Sequence, residues 1–136
     1  MKKRVVSVKE GVSGELHGGG GTFNVLIDEE IAGAKHFSLL VNEMWSGVKG
    51  EEHSHTVEHC WYILSGHGRI SMEGKTYEIA PEMAVFAPAH VLHRIDVDEG
   101  QALRYIVVYA PPGPEKQLKE KGRNAFRSPL PQTEQT

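Results

Sequence analysis

The sequence predicts a small all-β protein with one domain, and three observations lead to this prediction. Residues 23 to 108 form short segments rich in Val, Ile, Phe, Tyr and Leu, which Gly, Pro, Asn and Asp interrupt every ~8–12 residues. No segment before Pro111 keeps a helical apolar period over about 11 positions, so long helices are not expected there. The length of 136 residues suits a single hydrophobic core. The chain is therefore expected to fold as a sandwich or barrel.

The predicted strands comprise residues 4–8, 22–27, 36–45, 60–65, 68–72, 75–79, 83–87, 93–97 and 102–109. Glu73 and Gly74 are a hairpin signal between two of them. The four glycines at 18–21 have no side chains to pack, so they are expected to be a mobile linker. The predicted organisation is an N-terminal strand and glycine linker over residues 1–21, a barrel domain over 22–110 and a Pro-rich, charged tail over 111–136. In that tail, one or two exposed helical turns are expected near residues 115–121, followed by a segment that packs on a neighbour or stays disordered.

The composition excludes several functional classes. A formal net charge of −3 provides no basic field for nucleic acid. No run approaches the ~18 apolar residues of a membrane-spanning helix and no apolar signal core follows the N-terminus, so a cytoplasmic location is expected. Cys60 is the single cysteine and cannot form an intramolecular disulfide. We expect it to be a small buried apolar residue.

The eight histidines are the unusual feature of the composition, and three of them lie in one short stretch. His53 and His55 are two residues apart, which places both on one face of an extended strand. His59 follows a bend at residues 56–58 and starts an apolar strand, so its side chain can return to the same cavity. Trp61 shares the face of His59 and is expected beside the site. Glu58 is the alternative ligand if the bend shifts the alternation by one residue, and otherwise faces away or orients an imidazole.

A second stretch contributes His93, which follows a predicted strand and a turn at Pro88. If the strand that carries His93 pairs with the first stretch, its side chain can enter the same cavity. Three or four imidazole nitrogens form an intermediate to borderline-soft site, which suits Mn, Fe, Co, Ni, Cu or Zn and disfavours Ca or Mg. The sequence therefore predicts a site for one divalent transition metal.

The first stretch resembles the first signature motif of the cupin superfamily. That motif runs glycine, five residues, His-x-His, three or four residues, Glu, six residues, glycine, and Gly47, His53, His55 and Gly66 match it. His59 stands at the position of the glutamate. In this respect the sequence is similar to the four-histidine variant of some small bacterial and archaeal cupins, several of which bind manganese.

The second stretch resembles the second cupin motif less completely. Pro88 and His93 match it, whereas Glu82, His90 and Val97 stand where glycine, glycine and asparagine are usual. The resemblance covers residues 37–108. It implies a double-stranded β-helix, or jelly-roll barrel, with one metal ion, Mn or Fe being favoured. The implied ligands are the histidines that match the motifs, namely His53, His55, His59 and His93.

The function that the resemblance favours is a dioxygenase-type reaction on a small organic acid, phenol or diketone-like substrate. Four neutral imidazoles leave the charge of the ion uncompensated and favour anionic partners such as enolate or carboxylate. One alternative is a non-oxidative metal-dependent isomerase or lyase, with His90, Glu58 and Tyr105 as candidate proton carriers that spacing does not fix. Another is a non-catalytic sensor module, which the lack of room for a helix-turn-helix disfavours.

The resemblance also implies a homodimer, because cupin barrels of this size usually pair. A free strand over residues 4–8 is suited to joining the sheet edge of a neighbour. The remaining large side chains could line a substrate pocket but are expected mainly in the core, namely Trp45, Ile63, Phe86, Tyr105 and Tyr109.

Overall fold

The computed structural model describes residues 2–124, and within them nine strands form two antiparallel sheets around one core. The strands are β1 Val12–Leu16, β2 Gly21–Ile27, β3 Ser38–Met44, β4 Glu58–Ser65, β5 Gly68–Met72, β6 Lys75–Ile79, β7 Ala84–Ala87, β8 His93–Val97 and β9 Leu103–Ala110. The α-helices are α1 Glu29–Ala32 and α2 Pro114–Asn124. The all-β jelly-roll prediction is confirmed.

The two sheets differ in size, and one edge strand of each is consecutive with the other in the chain. The larger sheet has the order β1-β2-β3-β9-β4-β7, and the smaller has the order β6-β5-β8. Strands β6 and β7 are consecutive in the chain but belong to different sheets, each at an edge. The barrel wall is therefore not closed by a ladder of hydrogen bonds between β6 and β7.

Alternation along the strands directs one set of side chains into the barrel. In β4, His59, Trp61 and Ile63 are buried, whereas Cys60 and Tyr62 on the opposite face are exposed. This is the two-residue period of a strand with one face on the core. The expectation that Cys60 points away from His59 is confirmed, but the expectation that it is buried is wrong, because the outer face of β4 has no covering layer among the described residues.

Three predicted strands have the predicted bounds, namely residues 68–72, 75–79 and 93–97. Their apolar alternation is short and bounded by turn residues, and Glu73-Gly74 joins β5 to β6 as the hairpin signal indicates. The other barrel strands agree with the prediction to within a few residues at each end.

The N-terminal strand is the element that the sequence misplaced. Residues 4–8 contain no strand, and the strand lies instead at Val12–Leu16, where it pairs with β2 of its own sheet. The glycine run is not a linker either. A Cβ at Gly21 would lie 2.0 Å from the Glu43 carbonyl oxygen, so glycine is required there for the close approach of β2 to β3.

The C-terminal charged run forms a docked helix and not exposed turns. Helix α2 packs against β1 and β2, and it buries Leu118 together with Glu115 and Lys119. The expectation that this charge run faces solvent is wrong for these two residues. The segment after the helix, residues 125–136, lies outside the described residues.

Polar contacts explain why these charges are buried. Lys119 Nζ donates to Asp28 Oδ2 at 2.6 Å and to Glu30 Oε1 at 2.5 Å, and a charge paired in this way tolerates burial. Glu115 Oε1 accepts hydrogen bonds from Ser38 Oγ and from the Gly113 N–H, each at 2.8 Å. The helix is thereby fixed to the start of β3 and to the segment after β2.

No helix in residues 2–124 is both long enough and apolar enough to cross a membrane.

Candidate metal centre

A short antiparallel bridge between the loop before β4 and the start of β8 brings His53 and His93 together. His53 and His93 exchange backbone hydrogen bonds, with N···O distances of 3.0 and 2.8 Å. Residues paired in this way carry their side chains on the same face. The ring centroids of His53 and His93 are accordingly 4.4 Å apart.

Contacts with backbone carbonyls orient both rings. The Nδ1–H of His53 donates to the Glu51 carbonyl at 2.9 Å, and the Nδ1–H of His93 donates to the Val91 carbonyl at 3.2 Å. Since a carbonyl only accepts, Nδ1 carries the proton in each ring and Nε2 carries the lone pair. Hydrogen bonds of this type commonly fix the tautomer and direction of metal-binding histidines.

His55 completes a group of three potential ligands. Each of His53, His55 and His93 offers one ring nitrogen, and these nitrogens all lie within 4.8 Å of one another. His59 is outside this group of three but touches it, with ring centroids 4.6 Å from His55 and 4.9 Å from His93. The structure thus gathers all four predicted histidines in one cluster, and the fourth ligand bond of His59 stays a prediction.

The surroundings of His59 fit a bound cation. The side chain is buried, and neither ring nitrogen makes a well-formed hydrogen bond with a described residue. The pKa of His59 is lowered from 6.5 to about 2, mainly by burial and in addition by the neighbouring His55, His93 and His53, while a backbone contact with Val57 opposes the shift only in part. The ring is therefore neutral at physiological pH and keeps a lone pair for a metal.

A cavity of about 20 Å³ adjoins the cluster. Polar residues line one part of it, namely Asn42, His53, His55, Tyr105 and Tyr109. Apolar residues line the rest, namely Leu16, Trp61 and Ile95. A volume of this size holds a water molecule or an ion and is too small for an organic molecule. No carboxylate lines this cavity among the described residues.

Tyr105 is the one predicted proton carrier whose side chain lies at the cavity. Burial raises the pKa of its phenol, and a hydrogen bond with the Asn42 side chain opposes that shift. The hydroxyl therefore keeps its proton and can donate a hydrogen bond to an oxygen anion. Sequence reasoning missed Asn42, although a polar residue on the inward phase of the apolar strand β3 is a recognisable signal.

The other two predicted proton carriers do not reach the cavity. Glu58 is exposed on the outer face of β4, which also removes it as an alternative metal ligand to His59. The side chain of His90 is exposed as well. Its backbone N–H donates to the His55 carbonyl at 2.7 Å, so His90 supports the loop that carries His55 through its main chain.

The predicted neighbour Trp61 lies beside the cluster. Its ring centroid is 4.5 Å from that of His59 and 5.1 Å from that of His93. Ile63, Tyr105 and Tyr109 are buried as expected. The prediction is wrong for Trp45 and Phe86, which are 40% and 55% exposed.

A family model described as a cupin domain matches residues 41–109, which are 69 of the 136 residues. The chain is a cupin. The match spans all four clustered histidines, so the family assignment and the geometry of the site concern the same part of the molecule.

Solved structures resemble this cupin over most of its length. The polyketide cyclase RemF from Streptomyces resistomycificus has a TM-score of 0.70 and 29% identity, covering 82% of this chain and 81% of its own. KdgF from Halomonas sp. has a TM-score of 0.71 and 17% identity, covering 85% and 99%. A predicted oxalate decarboxylase from Thermotoga maritima has a TM-score of 0.66 and 21% identity, covering 79% and 99%. The last two show the fold alone. No curated protein sequence matches the chain.

The backbone of this cupin explains the glycines of the motifs and their replacements. Gly47 and Gly66 have φ values of +75° and +88°, where glycine is unstrained. Glu82 and His90 stand at positions where the second motif has glycine, and they adopt φ values of +69° and +67°. The left-handed turns are thus kept despite the substitutions, at a cost of about 1 kcal/mol each, and His93 still reaches the cluster.

Proposed function

We propose that this cupin is a metal-dependent enzyme that acts without oxidation on a small carbonyl compound, which binds as an enolate or carboxylate. One observation supports this most strongly: the cavity beside four clustered imidazoles has no carboxylate in its described lining. A bound ion would therefore keep its charge largely uncompensated and attract an oxygen anion.

The residues suited to hold the ion are His53, His55 and His93, with His59 as the fourth. A divalent transition metal bound there, with Mn or Fe as first choices, supplies a Lewis acid that polarises a carbonyl oxygen.

The remaining groups of the cavity complement an anionic oxygen. Tyr105 keeps its proton because burial raises its pKa, so its hydroxyl donates a hydrogen bond to the developing negative charge. Asn42 bonds to the Tyr105 side chain and orients it. Leu16, Trp61 and Ile95 exclude water and strengthen these electrostatic interactions.

The comparison with RemF favours the ketone class of substrate. RemF is named a polyketide cyclase, and it shares 29% identity with this chain. The dioxygenase-type reaction that the sequence analysis favoured stays a prediction, and the experiment that follows separates the two reactions.

The test measures deuterium incorporation at the α-carbon of substituted 1,3-diketones and β-ketoesters by NMR, with and without dioxygen. Metal-loaded protein is expected to accelerate exchange in both conditions. Tyr105→Phe is expected to slow it by about 10²-fold while metal content is unchanged, since one hydrogen bond to the oxyanion is lost. Stoichiometric oxygen uptake would establish the dioxygenase reaction instead, and exchange no faster than with free metal together with no oxygen uptake would refute an enzyme of either kind for these substrates.

Metal content tests the cluster itself. His53→Ala and His93→Ala are expected to abolish stoichiometric binding, whereas His59→Glu is expected to retain the metal with a changed preference, because a carboxylate cancels one unit of charge. His90→Ala is the matched control, since its exposed side chain lies three residues from His93. Unchanged occupancy in the two alanine variants, measured by elemental analysis, would refute the assignment.

We also propose that the chain forms a homodimer. The strand at residues 4–8 that was expected to join a neighbour is not a strand, so the exchanged-strand version loses its basis. Light scattering coupled to size-exclusion chromatography is expected to give twice the 15.1 kDa chain mass, and a value of one chain mass would contradict the proposal.

A further inference from the structure

A large groove opens where the barrel wall is interrupted between β6 and β7. Its volume is about 510 Å³, and ten residues of β5, β6, β7 and their connections line it. This β6–β7 groove is in the size range of sites that hold small organic molecules. The cavity beside the histidines has only about 20 Å³, so the body of an organic substrate needs space elsewhere.

Three cross-strand pairs connect the groove to the metal centre. Met72 lines the groove and is paired with His93, and Ile70 lines it and is paired with Ile95 of the small cavity. Paired residues carry their side chains on the same face of a sheet, in this case the inner one. The groove therefore reaches the interior of the barrel and is not only a feature of its outer surface.

The third pair crosses the larger sheet and includes the tryptophan beside the cluster. Val85 lines the groove and is paired with Trp61, which lines the small cavity and contacts the rings of His59 and His93. The linings of the groove and of the metal cavity thus adjoin at this pair, and Trp61 lies on the cavity side of it.

The lining of the groove indicates the kind of molecule that it holds. Tyr77 and Met83 present exposed apolar surface to it, 45% and 44% of each residue, and the inner wall is aliphatic. Glu73 and Glu78 are the charged residues of the lining. Their carboxylates repel anions and accept hydrogen bonds from hydroxyl groups.

We propose that the β6–β7 groove binds the body of the substrate, a neutral, largely aromatic and hydroxylated molecule, and that Trp61 is the partition through which its reactive carbonyl end reaches the metal centre. This inference deepens the proposed function and rests on it for the identity of the reactive end. The binding of an aromatic body to the groove does not depend on it.

The test uses the neutral fluorescent probe N-phenyl-1-naphthylamine and metal-free protein. The probe is expected to bind with a stoichiometry of one per chain, and Trp45→Phe isolates Trp61 as the energy-transfer donor. The double variant Tyr77→Ser with Met83→Ser is expected to weaken binding at least tenfold. Tyr62→Ser is the matched control, because Tyr62 is 43% exposed on the outer face of β4 and is outside the groove. Its expected effect is less than twofold.

The possible outcomes distinguish the proposal about binding in the groove from the proposed reaction. An equal loss of probe affinity in the Tyr62→Ser control, or unchanged probe affinity in the double variant, overturns the proposal that the groove is the binding site. Conversion of a dimer to a monomer by the double variant also overturns it, since a second copy then occupies that surface. Specific probe binding without turnover supports the groove and refutes the proposed reaction. If the double variant turns over a diketone with an unchanged KM, the proposed reaction is supported and the proposal that the groove binds the body of the substrate is overturned.

Discussion

The buried, neutral His59 predicts a pH dependence of stability in the metal-free protein. Its pKa is about 2 in the folded state, mainly because of burial, compared with 6.5 for an unperturbed histidine. At pH values above 6.5 both states are neutral at this residue and it contributes no pH dependence. Below pH 6.5 the unfolded chain takes up a proton that the folded chain does not, so stability falls as the pH falls.

The magnitude follows from the two pKa values. Each pH unit below the unfolded value costs up to about 1.4 kcal/mol, so lowering the pH from about 7 to about 5 removes about 2 kcal/mol of unfolding free energy through His59 alone. A loss of this size is a large part of the stability of a small domain.

Urea unfolding of the metal-free protein at the two pH values measures this loss. His59→Gln is expected to reduce the difference by about 2 kcal/mol, because glutamine does not titrate in this range. His90→Gln is the control, with an exposed side chain and no expected change. If wild type and His59→Gln lose the same free energy on acidification, His59 is not held neutral by burial.

The other predictions concern the stability of the scaffold. Lys119→Met is expected to cost about 3–5 kcal/mol in urea unfolding, because Asp28 is left buried without its cation; a cost below 1 kcal/mol would contradict the buried ion pair. Burial lowers the pKa of Lys119, but the hydrogen bonds and charges of Asp28 and Glu30 outweigh that effect, so the pKa is raised overall. The stabilisation from this ion pair is therefore present below the pKa of an unfolded lysine and is lost as the pH rises through the higher pKa of the folded state. Gly66→Ala is expected to cost about 3 kcal/mol, since its Cβ would lie 2.3 Å from a backbone oxygen at a φ of +88°. Gly74→Ala has a similar φ of +76° without any contact and is expected to cost about 1 kcal/mol, so equal thermal shifts in the two variants would refute the steric argument.

Sequence reasoning located the parts of the fold that local patterns determine. Strands β5, β6 and β8 are short β-branched or apolar segments that end at turn residues, so their bounds were predictable. Strand β1 was not, because Val12–Leu16 contains a glycine and two polar residues and becomes a strand only by pairing with β2. Its place depends on tertiary contacts that no local pattern carries.

The docking of helix α2 was unpredictable for a similar reason. Lys119 is separated by 91 positions from its partner Asp28, and Glu115 by 77 positions from Ser38. A charge run with distant partners has the same composition as a solvated one. Burial of such residues becomes visible only when the fold brings the partners together.

The clustering of the four histidines was predictable and the surroundings of the cluster were not, and the difference is physical. Spacing of two residues on an extended segment fixes His53 and His55 on one face, and strand parity fixes Trp61 relative to His59. The proton carrier was not fixed, because three candidates were equally compatible with the spacing. Only the packing distinguishes Tyr105, which is buried beside Asn42, from the exposed side chain of His90.

In the proposed function, the histidine at position 59 would connect the bound metal with the choice of substrate. A glutamate there would bring a negative charge to the cluster, and its carboxylate would compete with an anionic substrate for the charge of the ion. Burial keeps His59 uncharged, so in the proposed function the substrate would supply the negative charge that compensates a bound ion. A carbonyl compound does so only in its enolate or carboxylate form. The same replacement that departs from the first motif therefore favours substrates that ionise on binding, and His59→Glu is expected to weaken their binding relative to neutral ligands.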